Sequence, residues 1–65
     1  MREWLLMERR RRNMTQLELA TKVGISRAYL TQLELQLRNP SIKVAKKLGT
    51  TLSIDWTRFF EDLEY

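Results

Sequence analysis

Apolar residues recur at helical spacing most clearly between Gln16 and Leu35, in the stretch QLELATKVGISRAYLTQLEL. Leu19, Ala20 and Val23 share one face and leave Glu18, Thr21 and Lys22 to water. Thr15 followed by Glu18 is a capping box: the hydroxyl accepts from the Glu18 N–H, the carboxylate accepts from the Thr15 N–H, and a helix is predicted from about Gln16. Gly24 stands where a chain leaving a helix takes a positive φ at no steric cost. Ile25 follows as a buried hinge, and Ser26 is an N-cap for a second helix. Along that helix Leu30 and Leu33 point to the side of Ile25, whereas Arg27, Ala28, Thr31 and Gln32 point away. The pattern describes two short helices across a tight turn. Ala20 is small enough to let them cross closely, so the outward set forms a stiff ridge.

Elsewhere the pattern predicts three further helices. Residues 1–12 form the first, with Asn13 as a left-handed stop. Its inner face carries Trp4, Leu5, Glu8, Arg9 and Arg12, and only one of Leu6 and Met7 can also turn inward. Pro40-Ser41 is a stop followed by an N-cap, so another helix begins near Ile42. Ile42, Ala45, Leu48, Gly49 and Leu52 lie close to one face of it, and Lys43, Lys46 and Lys47 take the rest. Mid-helix glycine costs about 1 kcal/mol relative to alanine, and Thr50 and Thr51 weaken the same turn, so the end of this helix is expected to fray. Asp55 caps a last helix from Trp56 to about Asp62, with Trp56 and one of Phe59 and Phe60 packed on the bundle. The other phenylalanine, with Leu63 and Tyr65, makes an apolar strip that suits either a core edge or a contact with a second copy.

An outward ridge of this kind fits duplex DNA. One α-helix fills the major groove, where arginine reads guanine N7/O6 and glutamine reads adenine N6/N7 by paired hydrogen bonds. A helix pair with a merely solvated polar face has no need of cap, small residue, glycine, apolar hinge and second cap in this order. The order points to a DNA-reading helix-turn-helix. Arg27 is the foremost candidate for a base contact, with Ala28, Thr31 and Gln32 beside it. Gln16, first in its helix, can turn both its N–H and its side chain to a phosphate. Lys43 lies in the first turn of its helix beside N–H groups that already favour an anion. Ser26 joins this phosphate set, and Tyr29 either lies against the sugar-phosphate backbone or folds under. Arg10, Arg11 and Arg12 read as a solvated face with favourable charge at a helix C-terminus.

The segments TQLELATKVGISRAYLTQLE and RNPS, with KVAKKL and DWTRFF after them, resemble the Xre/Cro-type helix-turn-helix regulators of bacteria and their mobile elements. The resemblance covers nearly the whole chain. It implies an all-α, compact five-helix bundle of the phage-repressor DNA-binding type, with the helix-turn-helix at helices 2 and 3 and residues 1–65 as one domain. It also implies operator binding by a transcriptional regulator, with repression the first expectation and a symmetric dimer the usual form. In the resembled family an arginine at the place of Arg9 pairs with the glutamate at the place of Glu34, a strut that is costly to break from one side. In that family the positions of Arg38 and Asn39 fall in a loop that touches phosphate, and the resemblance implies the same here. One departure stands out: relatives carry a glycine two residues beyond the glutamate, and Glu34-Leu35-Gln36-Leu37 has none. These are helix formers, so the reading helix is expected to run another turn, with Leu37 in the core and Leu35 harder to bury.

Composition narrows the chemistry. With neither Cys nor His, disulfides, thiolate or imidazole metal sites and imidazole catalysis are all excluded. No cofactor is expected, and with no nucleophile-base pair in view no enzyme is expected either. Glu61, Asp62 and Glu64 suit a solubilising tail better than a catalytic cluster. The net charge of +4 is uneven: residues 1–50 hold eleven Lys/Arg against four acids, and the last fifteen hold one Arg against four acids. A basic body suits a polyanion such as double-stranded DNA. No apolar run has the length of a signal or membrane segment, so a cytoplasmic, nucleoid-associated protein without a membrane partner is expected. Sixty-five residues leave no room for a ligand-sensing domain in the chain as given. The competing reading is a protein-interaction or self-association module on the same scaffold, using Leu35 and Leu37 or the strip of Phe60, Leu63 and Tyr65.

Overall fold

The computed structural model describes residues 1–61, among which lie four α-helices: α1 (Glu3–Arg11), α2 (Gln16–Val23), α3 (Arg27–Glu34) and α4 (Ile42–Leu52). A five-residue 3-10 helix, Trp56–Phe60, stands in the place of the fifth helix. The class is all-α, as the pattern predicts.

Three of the four α-helices start on a hydroxyl. Thr15 Oγ1 accepts from the Glu18 N–H at 3.1 Å while Glu18 Oε1 accepts from the Thr15 N–H at 3.0 Å, which completes the capping box. Ser26 Oγ accepts from the Tyr29 N–H at 3.0 Å, and Ser41 Oγ accepts from the Val44 N–H at 3.2 Å.

All four helices end alike. Asn13 (φ 56°), Gly24 (φ 82°), Gln36 (φ 62°) and Ser53 (φ 56°) are left-handed. The N–H of each following residue returns to the carbonyl five residues back: Met14 to Arg9, Ile25 to Ala20, Leu37 to Gln32 and Ile54 to Gly49. This is the Schellman closure, which satisfies carbonyls that a helix end would otherwise orphan.

That closure overturns the expected extension of the reading helix. α3 stops at Glu34, Leu35 is its cap, and Gln36 takes the left-handed position that glycine holds in the resembled family. Reversing the chain there turns Leu37 out of the core and leaves it 71% exposed, with Leu35 at 42%.

The core consists of Leu5 from α1, Leu19, Ala20 and Val23 from α2, Leu30 and Leu33 from α3, Ala45, Leu48 and Leu52 from α4, and Phe59. Of the two phenylalanines, Phe59 goes in, edge-on to Trp4 with ring centres 4.8 Å apart. Phe60 stays half-buried against Trp56. Met7 is the exposed member of the Leu6/Met7 pair. Ile42 is a correction: as the first residue of α4 it precedes the part of the helix that meets the bundle and is 58% exposed. α1 is also shorter than predicted, beginning at Glu3 with Arg2 as its cap.

Gly49 has a packing reason. A Cβ there would come within 2.9 Å of the Ile54 carbonyl oxygen and 3.0 Å of Trp56 Cβ, so its absence lets the 3-10 helix fold back onto α4. The 3-10 helix ends at Phe60, short of the predicted Asp62. Asp62 itself, and the Leu63 and Tyr65 of the predicted apolar strip, lie outside the described residues. Arg12 donates to Glu8 at 2.8 Å and to the Leu52 carbonyl, tying the end of α1 to the end of α4. No helix among the described residues is long and apolar enough to cross a membrane.

Candidate nucleic-acid interface

α3 is held from behind at two levels. The first is apolar: Leu30 and Leu33 close against Leu19, Ala20 and Val23 of α2 across the turn of Gly24, Ile25 and Ser26.

The second level is polar and joins three helices. Arg9 Nε donates to Glu34 Oε2 at 2.7 Å and Arg9 Nη2 to Glu34 Oε1 at 3.1 Å. Gln16 Nε2 donates to the same Oε1 at 3.1 Å, and Gln16 Oε1 accepts from Thr31 Oγ1 at 3.2 Å. Arg9 Nη1 completes its own set on the Met14 carbonyl at 2.9 Å. With Arg9 and Glu34 both buried, the pair is shielded from water and fixes α3 in angle and register against α1 and α2.

On the outer side Arg27 and Ala28 are exposed, and Thr31 and Gln32 are half-buried. The Thr31 hydroxyl also lies 2.9 Å from the Arg27 carbonyl, so it turns along the helix and toward α2. Gln32 Oε1 accepts from Arg38 Nη1 at 3.4 Å, and the Arg38 guanidinium sits 5.0 Å over the Tyr29 ring. Tyr29 is thus folded under, half-buried at the core edge, and serves as a shelf for Arg38. Ser26, Asn39 and Lys43 are exposed, and among the described residues neither Arg27 nor Lys43 enters an ion pair. Gln16 turns its side chain inward to Glu34 and Thr31, away from the phosphate contact expected of it, and its backbone N–H lies in the first turn of α2, where helix N–H groups have no intrahelical partner.

The basic run on α1 is engaged locally: Arg11 and Arg12 both bind Glu8, at 3.2 Å and 2.8 Å. Arg12 in particular holds the Glu8 carboxyl below its ordinary value.

Sequence reasoning passed over Arg2. Its side chain is 1% exposed, and its guanidinium donates to the Leu33 carbonyl at 2.7 Å, the Arg38 carbonyl at 3.3 Å and Asn39 Oδ1 at 2.8 Å. The only general signal is that the C-terminal end of any helix is the negative end of its dipole and favours a cation, which does not single out Arg2.

Two helices crossing at a three-residue turn, with an exposed N-terminal ridge on the second and a buried charge pair behind it, define a helix-turn-helix protein. The helix-turn-helix family model matches residues 5–59, and the chain belongs to that family, of the Xre/Cro-like kind. It is 48% identical over 63 residues to YqaF of Bacillus subtilis (strain 168), described as an uncharacterized HTH-type transcriptional regulator; the match covers 97% of this chain and 83% of YqaF. It is 33% identical over 54 residues to the HTH-type transcriptional regulator SlrR of the same organism, over 82% of this chain and 36% of SlrR. No solved structure matches at a significant level. The family is one of transcriptional regulators and not a class of enzymes.

Proposed function

We propose that residues 1–65 act as one sequence-specific double-stranded DNA-binding domain of a transcriptional repressor, working in the cytoplasm at the nucleoid. α3 enters the major groove: Arg27, Ala28, Thr31 and Gln32 face base edges, while the Gln16 N–H, Ser26, Arg38, Asn39 and Lys43 lie along flanking phosphates, with Tyr29 contributing only as the shelf beneath Arg38. Phosphates position the helix and base edges specify the site. The observation that carries this reading is the exposure of Arg27 and Ala28 at the N-terminal end of α3, the part of a recognition helix that meets bases. Eight residues of helix, about 12 Å long, suit that groove. The regulator descriptions of YqaF and SlrR support the same reading. A dimer would place two half-sites about 34 Å apart on one DNA face. In-vitro selection from a random duplex pool, then titration of the winner against a scrambled duplex at several salt concentrations, tests the reading. Selective, salt-weakened binding is the expected result; equal affinity for both duplexes contradicts it.

A second reading is favoured by exposed apolar side chains. Leu17 and Leu35 line a groove of about 670 Å³ beside Arg27 and Thr31, and Leu37 stands clear of the core. Under that reading the surface binds a second copy or another protein, and the complex persists at high salt.

A further inference from the structure

Arg2 spans the loop between α3 and α4 from beneath. Its backbone N–H donates to the Glu34 carbonyl at 2.7 Å, and its guanidinium reaches the Leu33 carbonyl on the departing side and Arg38 and Asn39 on the returning side. Phe59 closes the site, with its ring centre 5.5 Å from the guanidinium carbon. A planar fork can serve several acceptors at once, which a lysine ammonium, a single point of charge, does with poorer geometry. The loop it holds contains Gln36 in a left-handed conformation and carries Arg38 on the Tyr29 shelf.

We propose that Arg2 is the positioning residue of the phosphate-contacting loop: buried and out of reach of DNA, it sets the path from Leu35 to Pro40 and so the place where Arg38 meets the backbone. The inference rests on the DNA-binding reading above. A guanidinium on the Leu33 carbonyl and the Asn39 side chain holds both ends of a loop in which Gln36, without glycine's freedom, takes the left-handed position.

The test compares Arg2→Lys, Asn39→Ala, Arg38→Ala and the double variant Arg2→Lys/Arg38→Ala in the full chain. Each is titrated with its selected duplex and a scrambled one over a range of salt, after circular dichroism has shown it folded. Arg38→Ala is expected to lower the slope of log K against log salt by about 0.9, the share of one phosphate. Arg2→Lys and Asn39→Ala lower it by a similar amount and keep the preference for the selected duplex, and Arg2→Lys adds nothing to Arg38→Ala in the double variant. Amide exchange at Leu37 rises in Arg2→Lys while that at Leu19 and Leu30 is unchanged. A folded Arg2→Lys with the wild-type slope, beside an Arg38→Ala that loses its share, overturns the role of Arg2 alone. Losses that sum in the double variant overturn it too. An unmodified chain whose binding ignores salt sinks the DNA reading itself, and this inference with it. Should Arg2→Lys fail to fold, Asn39→Ala decides through amide exchange at Leu37, which a phosphate contact of Asn39 itself would not alter in the free protein: unchanged exchange there is the contradicting result.

Discussion

The Arg9 guanidinium grips both oxygens of the Glu34 carboxylate, 2.7 Å and 3.1 Å away, with Arg9 7% and Glu34 2% exposed. α1 and α3 meet at this pair, and Gln16 brings α2 to the same carboxylate. Two facing charges of this kind need not add net stability, but leaving one buried without the other is costly. Arg9→Ala and Glu34→Ala are each expected to destabilise by about 3 to 5 kcal/mol. Arg9→Met with Glu34→Leu together should cost much less than the sum. Urea denaturation of the three variants measures this; single losses below about 1 kcal/mol would show the pair to be ornamental.

Gln36 holds a left-handed conformation that costs an L-residue about 1 to 2 kcal/mol. Gln36→Gly removes that cost and adds some freedom to the unfolded chain. A net gain of about 1 kcal/mol is expected, read as a higher urea midpoint at unchanged m-value. A loss would mean that the Gln36 side chain supports the loop in some other way.

Gly49 gives the opposite result. On helix propensity alone Gly49→Ala should stabilise by about 1 kcal/mol. The new Cβ would instead meet the Ile54 carbonyl oxygen at 2.9 Å and Trp56 Cβ at 3.0 Å, and neither is the far end of a flexible chain. We expect a net destabilisation of about 1 to 2 kcal/mol, accompanied by a change in Trp56 fluorescence as the 3-10 helix is pushed away. A more stable variant with unaltered fluorescence would contradict the close approach.

Acid should weaken the fold through three carboxyls held low by hydrogen bonds. Glu8 is held below its ordinary value chiefly by its hydrogen bond to Arg12, Glu18 chiefly by the Thr15 N–H, and Asp55 chiefly by the Thr57 side chain. A carboxyl lowered on folding contributes fully above its unfolded value, and the contribution is lost as pH falls through the lower folded value. The melting temperature should therefore hold level down to about pH 5 and decline below it. Glu18→Gln should flatten the decline; a decline of equal steepness would remove the capping box from this account.

Much of the fold can be read from local chemistry. Thr15, Ser26 and Ser41 announce helix starts within one turn of themselves, and Asn13 and Gly24 announce stops. What escapes is decided at a distance. Nothing near Gln36 marks it as a left-handed residue, because the Arg2 that spans its loop lies more than thirty positions away and its partners are mostly backbone carbonyls. Gly49 looks like a weak point until Trp56 is folded onto it. At the candidate interface Arg27 and Ala28 are exposed, whereas Thr31 and Gln32 of the same expected outward set are half-buried and Thr31 turns to Gln16. A helical wheel assigns faces but not the partner across the turn.

The central claim is that α3 reads bases while its flanks hold phosphates, and one paired titration tests it. Arg27→Ala and Lys43→Ala are each measured against the selected duplex and against duplexes changed at single base pairs. Arg27→Ala should cost about 1 to 3 kcal/mol on the selected site and lose discrimination at one base pair only. Lys43→Ala should weaken every duplex alike and reduce the salt slope by about one unit. Equal losses on all duplexes for Arg27→Ala, with discrimination intact at every position, would contradict groove reading by this helix.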